Sequence, residues 1–413
     1  MIPLAIDELT LLALGELERA PGATEVTGVQ VDSRRIEPGD LFVCVGPGAE
    51  FRGDAFAAGA AATLLPDDAF GALGAIGRAV RDRSHARVVG ITGSTGKTST
   101  KDILAALCAP SARTVAAEAS YNNEIGVPLT LSRLDGDTEV CVLELSMRGF
   151  GQIAELCEIA RPEIGVITNV GPAHLELVGS LEGVLRAKGE LVAALPAGGT
   201  AIVPDDFPVE RNDVDVVRVG PPEAEVGDER TVVGGVSFNF TARHHAANAA
   251  SALAALDALG LPRPESVEVE FSRWRGEETP LPEGGLLIND SYNANPASMR
   301  AALQQLADRA GDRGRVAVLG EMAELGPDAA RLHREVGELA RAHNLFALVA
   351  VGELAREYLV DGVAQVAAWA PDPAGAVDRL RELELGPGQA VLVKASRAVG
   401  LETVADALAT VKA

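Results

Sequence analysis

From Arg87 onward the chain repeats a pattern that few folds accept. Short, nearly unbroken apolar runs rich in β-branched residues ("RVVGIT", "EVCVLEL", "IGVITNV", "GTAIVP") alternate with stretches of helical spacing such as "KTSTKDILAALCA", "GQIAELCEIA" and "LRAKGELVAAL". An apolar run without alternation needs cover on both faces, and parallel strands joined by crossover helices supply it. The expected fold class is α/β, in three domains. Residues 1–85 form a small N-terminal α/β domain. There "EVTGVQVDSRRIEPGDLFVCV" reads as short strands around a "PGD" turn, while "GDAFAAGAAATLL" and "FGALGAIGRAVRDR" read as helices. Residues 86–271 form the central parallel-sheet domain, including the alanine-rich helix "ARHHAANAASALAALDALG". Residues 272–413 form a third α/β domain, with strands "GLLIND", "RVAVLG", "FALVAVG" and "AVLVKA".

Bulk properties remove several function classes. The net charge of −23, with no basic run, argues against nucleic acid or an anionic membrane as partner. No apolar run reaches the roughly 18 residues of a membrane span. The start, "MIPLAIDELTLLALGELERA", carries acids where a signal peptide would carry bases. Cys44, Cys108, Cys141 and Cys157 lie in apolar segments without C-x-x-C spacing, which fits reduced thiols in a cytoplasm. Of 36 basic residues only five are lysine: Lys97, Lys101, Lys188, Lys394 and Lys412. In a chain that uses arginine wherever a cation will do, each lysine suggests a need for an amine.

Lys97 belongs to "RVVGITGSTGKTST". A strand delivers the chain to Gly93; the small residues Ser94, Thr95 and Gly96 let backbone N–H groups approach anionic oxygens. The helix starting near Lys97 aims its positive end at the same place, followed by the hydroxyls of Thr98 and Ser99. Lys97 can reach terminal phosphates, and Thr98 can ligate Mg²⁺. Ile91 stands where the full phosphate-loop pattern has its outer glycine, so the loop is a shortened form. Glu144, at the tip of "CVLEL", is the natural carboxylate for the same metal.

"TGSTGKTST" resembles the ATP loop of the Mur ligase family, which couples ATP cleavage to amide-bond formation. Further matches follow in family order: "NNEIGVPLTL", "LELSMRGFGQIAELCEIARP", "VITNVGPAHLELVGS", "RAKGEL", "ARHHAANAASA", "NDSYNANPASMRAAL", "LGEMAELG" and "LVKASRAVGLE". The resemblance covers nearly the whole chain. It implies a P-loop ATPase-like central domain that binds ATP, a Rossmann-like C-terminal domain that binds the incoming amino substrate, and an N-terminal domain that binds a UDP-linked substrate. "NDSYNANP", "SMRGFGQIAEL" and "DSRRIEPGDLFV" resemble the branch that adds D-alanyl-D-alanine to UDP-N-acetylmuramoyl-tripeptide. A cytoplasmic monomer is expected.

The same resemblance implies the roles of individual residues. Thr98, Glu144, His174 and a carbamylated Lys188 would hold Mg²⁺, with Asn169 nearby. A carbamate requires a neutral amine and CO₂, which arginine cannot replace. Asn248 would contact adenine, and Arg275 and Asp290 would help to close the third domain over ATP. Arg273 competes with Arg275 for that role, because "SRWRGE" departs from the family's Gly-Arg. Asn122, Asn123, Tyr292, Asn293, Asn295, Lys394, Ser396 and Arg397 would receive substrate or phosphate oxygens. Ser33 and Arg34, in "VDSRR", would contact the uridine nucleotide. Asn122, Asn123, Ser33 and Arg34 also read as plain turn formers. The expected reaction activates the tripeptide carboxylate as an acyl phosphate, which the dipeptide amine then attacks. A sister ligase with another carboxylate and amine, or a nucleotide-binding scaffold without catalysis, are the alternatives.

Overall fold

The protein, as a computed structural model, is described over residues 1–12, 14–173, 175–383 and 388–410. Its central sheet has six parallel strands in the order Asp215–Val219, Thr200–Pro204, Ile164–Ile167, Arg87–Thr92, Val140–Glu144 and Thr114–Ala116. The unbroken apolar runs have two destinations. Val89, Ile91, Val142 and Val166 enter one buried cluster with the helices Lys97–Cys108 and Arg243–Ala258. Val88, Cys141, Leu143 and Ile167 enter another, with the helices Ala69–Arg81, Gln152–Ala160 and Leu181–Ala194. The four inner strands are thus apolar on both faces because both are covered, whereas the edge strand Asp215–Val219 is largely exposed. Ile91 is 0% exposed and still inside its strand, paired with Val166 and Glu144. A glycine there would weaken the core, and the loop starts two residues later.

From Arg87–Thr92 the chain runs to the edge strand Thr114–Ala116, returns to fill the gap with Val140–Glu144, then crosses over and builds the other half outward. The order reverses at the central strand, and in open α/β sheets the crevice outside the carboxyl ends at such a reversal accepts ligands. Gly93, Glu144 and Thr168 all leave strands at that edge.

In the N-terminal domain a four-stranded sheet runs Gly15–Arg19, Ala62–Pro66, Asp40–Val43, Gly28–Gln30, with only the first strand antiparallel to its neighbour. The segment "GDAFAAGAAATLL", expected to be helical, splits. The helix Arg52–Ala58 stops at Gly59, whose φ of +107° is open to glycine and strained for other residues. The rest becomes the strand Ala62–Pro66, paired on both sides. Alanine favours the helix, but the helix has ended at Gly59, and pairing on both sides makes Ala62–Pro66 a strand. The helix Ala69–Arg81, capped by Asp68, docks on the central domain through two glycines. A Cβ at Gly77 would lie 2.8 Å from Pro128 Cα, and one at Gly74 3.0 Å from Ile159 Cδ1.

Residues 224–267 carry a small sheet that the sequence reading passed over: Ala224–Val226, Thr231–Val233, Val236–Phe238 and Ser266–Val267. Its signal was present in "VVGGVSF": Gly234 and Gly235 both have positive φ, as a two-residue hairpin turn of the mirror type needs. The third domain has a six-stranded sheet ordered Glu277–Leu281, Gly285–Asn289, Ala390–Lys394, Arg315–Gly320, Leu345–Val351, Ala364–Ala370. All are parallel except the first, an edge strand that contains Pro280. Helices Pro296–Ala310 and Ala329–Arg341 cover one face, and Pro373–Glu382 and Glu402–Thr410 the other. No helix among the described residues is long and apolar enough to cross a membrane.

The lysines behave unlike the arginines. Lys101 is 2% exposed, Lys188 1% and Lys394 1%, Lys97 is half-buried, and Lys412 lies outside the described residues. Lys101 donates to the carbonyls of Ala117 (2.7 Å) and Ala119 (2.8 Å) and pairs with Asp102 at 2.8 Å. Asp102 in turn accepts from Ser272 N at 2.8 Å, where the chain enters the third domain. Three donors on one point charge satisfy this site, which a planar guanidinium could not. Lys101→Met should cost about 3 kcal/mol, because it leaves a buried carboxylate without its cation. Urea unfolding monitored by circular dichroism measures the loss.

Candidate active site

The loop between Thr92 and Lys97 owes its shape to glycine and to a second loop behind it. Gly93 has φ +154° and Gly96 +79°; a Cβ would lie 1.9 Å from Thr168 Oγ1 at the first and 2.3 Å from Asn248 Oδ1 at the second. Asn169 clasps the turn: its Oδ1 accepts from Thr95 N (2.9 Å), and its Nδ2 donates to Thr95 O (3.0 Å). Thr168 Oγ1 donates to Thr95 O at 2.6 Å, and Ser94 Oγ donates to Gly171 O at 3.0 Å. The helix Lys97–Cys108 starts after Gly96 with no side-chain cap. Its first N–H groups are therefore open to an anion, with the helix dipole behind them. Gly93→Ala should weaken ADP binding at least ~10-fold, since strain and the Thr168 clash act together. Isothermal calorimetry with Mg-ADP reads the change.

A chain of polar side chains crosses the crevice from this helix. Thr98 Oγ1 donates to Glu144 Oε2 at 2.8 Å, and Asn122 Nδ2 donates to Glu144 Oε1 at 2.8 Å. Ser146 Oγ donates to Asn122 Oδ1 at 2.9 Å, which orients that amide. Arg275 Nη2 donates to Thr98 Oγ1 at 2.9 Å, and its guanidinium lies 4.0 Å from the Tyr292 ring centre. Lys97 Nζ donates to Gly93 O at 2.8 Å. Burial pulls the Lys97 ammonium below its ordinary pKa; Glu144 opposes this and Arg275 adds to it. Among the described residues Lys188 has no hydrogen-bond or ion-pair partner, in contrast to Lys101 and Lys394. Burial, reinforced by Lys97, holds its pKa well below the ordinary lysine value.

The opposite wall comes from the carboxyl ends of third-domain strands. Lys394 Nζ pairs with Asp290 Oδ2 at 2.6 Å and donates to Asn293 O at 2.8 Å. Burial lowers the Lys394 pKa while Asp290 supports its charge. Asn295 caps the helix Pro296–Ala310 through Ser298 N (2.9 Å) and donates to Ser94 O at 3.3 Å, so one asparagine joins two domains. Ser396 Oγ accepts from Ala323 N at 2.8 Å. The hydroxyls of Ser120 and Tyr292 share a hydrogen bond across the same gap. Between the walls lies a cleft of about 760 Å³, lined by Lys97, Thr98, Glu144, Arg275, Asp290 and Arg397 among others.

Hard oxygen donors (Thr98 Oγ1 and Glu144) meet a cationic loop and an open helix N-terminus, which fits Mg²⁺ with a nucleotide phosphate. Among the described residues no group of three or more His, Cys, Asp or Glu forms a metal cage. A magnesium ion here would take its remaining oxygens from phosphate and water, as is usual for this ion. The model of the Mur ligase middle domain matches residues 91–256, and that of the Mur ligase, glutamate ligase domain matches 274–397. The chain belongs to the Mur ligase family. The UDP-N-acetylmuramoyl-tripeptide–D-alanyl-D-alanine ligase of Escherichia coli (strain K12) is 35% identical, over 99% of this chain and 99% of the relative. MurF from Acinetobacter baumannii superposes with a TM-score of 0.85 at 28% identity, covering 98% of each chain. MurF ligase from Thermotoga maritima in complex with ADP gives 0.79 at 25% identity, covering 92% of this chain and 96% of that one.

Within this Mur ligase, Ser94, Thr95, Gly96, Lys97, Thr98, Ser99, Asn122, Glu144, Asn248, Arg275, Asp290, Tyr292, Asn293, Asn295, Lys394, Ser396 and Arg397 line the one cleft. Arg275 reaches it, whereas Arg273 is exposed. Asn123 Oδ1 instead accepts from Gly126 N (3.0 Å), capping a short helix. Ser33 and Arg34 lie on the N-terminal domain, away from this cleft. Arg34 forks onto Asp32 (2.8 and 2.6 Å) and draws that carboxyl down to about 2. It is Arg35 that reaches the central domain, at Glu118 Oε2 (2.9 Å). His174 lies outside the described residues.

Sequence reasoning missed His244, a cleft residue one helical turn before Asn248, with a pKa lowered by burial. Its signal was the i, i+4 spacing within "RHHAAN". It also missed Thr168 and Ser146, which shape the site through residues that were named.

Proposed function

We propose that this Mur ligase joins D-alanyl-D-alanine to UDP-N-acetylmuramoyl-tripeptide at the expense of ATP, a C–N bond-forming step in peptidoglycan precursor synthesis. The observation that carries the reading is the pairing of walls. A nucleotide loop on one domain faces, across one cleft, a cationic strand-end on another, in a chain alike over its full length to ligases of that name. The loop N–H groups and Lys97 hold the ATP phosphates. The tripeptide carboxylate oxygen attacks the γ-phosphorus, the bond to the bridging oxygen breaks, and ADP leaves. The amine then attacks the acyl-phosphate carbon, phosphate departs, and the amine gives up a proton. Lys97 and Arg275 offset the charge that gathers on transferring oxygens. Thr98 and Glu144 would hold Mg²⁺, which when bound supplies Lewis-acid neutralisation of the phosphates.

Lys188 is suited to carbamylation: its amine is buried, without a described partner, and biased toward the neutral form. A carbamate there would supply a second anion for the metal. By family resemblance His174 is assigned to the same metal. The third-domain strand ends, with Asp290, Asn293 and Lys394, receive the incoming dipeptide, and Ser33 and Arg34 serve the uridine end. Contacts such as Asn295 to Ser94 exclude water from the acyl phosphate. Four free buried cysteines, three of them pushed up to about 12 by burial, suit a reducing cytoplasm. A monomer contains every residue used here.

Incubation with UDP-N-acetylmuramoyl-tripeptide, D-alanyl-D-alanine and Mg-ATP should yield the pentapeptide by mass, with one ADP for each bond. Failure with this pair, alongside stoichiometric coupling of another amine or acid, would replace it with a sister activity.

A further inference from the structure

Trp274 stands at the entry to the third domain in a backbone conformation that a bulky residue adopts only at a cost, with φ +62°. Burial in a core does not offset that cost, because the residue is only half-buried. Its ring instead faces guanidinium groups. Arg397 lies 4.4 Å from the ring centre and Arg273 5.7 Å. Arg397 lines the cleft and is also held by Glu402 Oε1 at 2.5 Å, while its side chain keeps 49% exposure. Trp274 O accepts from Tyr292 N at 3.3 Å, and the Tyr292 ring carries Arg275. One strained residue thus meets Arg397 directly and Arg275 through the Tyr292 ring, two of the arginines that line the cleft.

We propose that Trp274 is a positioning residue that aims Arg397 at an anionic group of a substrate and ties that aim to the placement of Arg275 through Tyr292. The inference rests on the ligase reading above. An anion on Arg397 is either a phosphate of the nucleotide or a carboxylate of the incoming dipeptide. The ring supplies a flat, electron-rich face that keeps the guanidinium extended when no ligand is bound. That preorganisation lowers the ordering cost of binding.

The test uses the full chain carrying Trp369→Phe, so that Trp274 is the sole tryptophan; Trp369 lies on the distant edge strand Ala364–Ala370. Removing the ring with Trp274→Gly should raise KM roughly five- to ten-fold for one substrate, with a smaller change in kcat. A rise for Mg-ATP assigns the phosphate, and a rise for D-alanyl-D-alanine assigns the carboxylate. Trp274→Phe, which keeps an aromatic face, should stay within about two-fold of the parent. In the parent, Trp274 emission should change saturably as that substrate is added, a readout that stands even if the glycine variant fails to fold. Unaltered KM values in W274G, equal damage in W274F, or emission indifferent to every substrate would each overturn the proposal. A parent that makes no pentapeptide refutes the ligase reading instead, whereas a productive parent with an equally productive W274G refutes this inference alone.

Discussion

Replacing Lys188 by alanine is expected to lower ligase turnover about 10³-fold, the scale of losing one preorganised charge at a phosphoryl-transfer site. The side chain is 1% exposed on the helix Leu181–Ala194. No solvated lysine sits there, and an ammonium beside Lys97 would be repelled. With its pKa held well below the ordinary value, a larger share of the amine is neutral at a given pH than in an exposed lysine. Reaction with CO₂ forms an N–C bond and releases a proton, so the product is favoured by higher pH. Activity in CO₂-stripped buffer should therefore fall further as pH is lowered, and return when pH is raised and bicarbonate added. Short carboxylates should partly restore Lys188→Ala by standing in for the lost anion. Carbon-13 NMR with labelled bicarbonate detects the carbamate directly. Wild-type turnover in Lys188→Ala would end the carbamate proposal.

Lys97→Met should reduce ATP-dependent ADP release by a similar ~10³-fold while leaving the fold intact. The two effects separate because the lysine's charge is costly to the folded protein: burial already depresses it. A methionine of similar length removes that cost, so stability should stay level or rise by about 1 kcal/mol. Lys97→Arg should not rescue turnover. A planar guanidinium cannot reproduce the point-charge contact that Lys97 Nζ makes with Gly93 O. Steady-state ADP release with thermal melting decides it: a fall in both would make Lys97 a structural residue like Lys101, whose loss is expected to unfold rather than to disarm.

Much of the fold was legible in sequence where one residue type served one purpose. Unbroken β-branched runs mean strands covered on both sides, and each such run of the central and third sheets is a parallel strand. Alanine-rich segments were less informative, since alanine packs in either state; Ala62–Pro66 became a strand only because two neighbours pair with it. In the site, residues fixed by loop chemistry, such as Gly93, Lys97 and Thr98, could be named from their order alone. Glu144 could be named as a strand tip. Residues that matter through their neighbours could not: Asn123 and Asn122 are adjacent in "YNNE", yet one caps a helix and the other orients a carboxylate. Lys101 and Asp102 gave no local sign of joining a loop to a linker about 170 positions away.

Sequence alone determined the nucleotide loop, the rhythm of its parallel sheet and the scarcity of amines, because backbone freedom, apolar cover and charge type are properties of single residues and their near neighbours. Tertiary structure decided which arginine enters the cleft, that Lys188 is left without a described partner, and that Trp274 bears strain beneath Arg397. Those outcomes depend on distances between segments far apart in the chain, which only packing of the domains against one another sets.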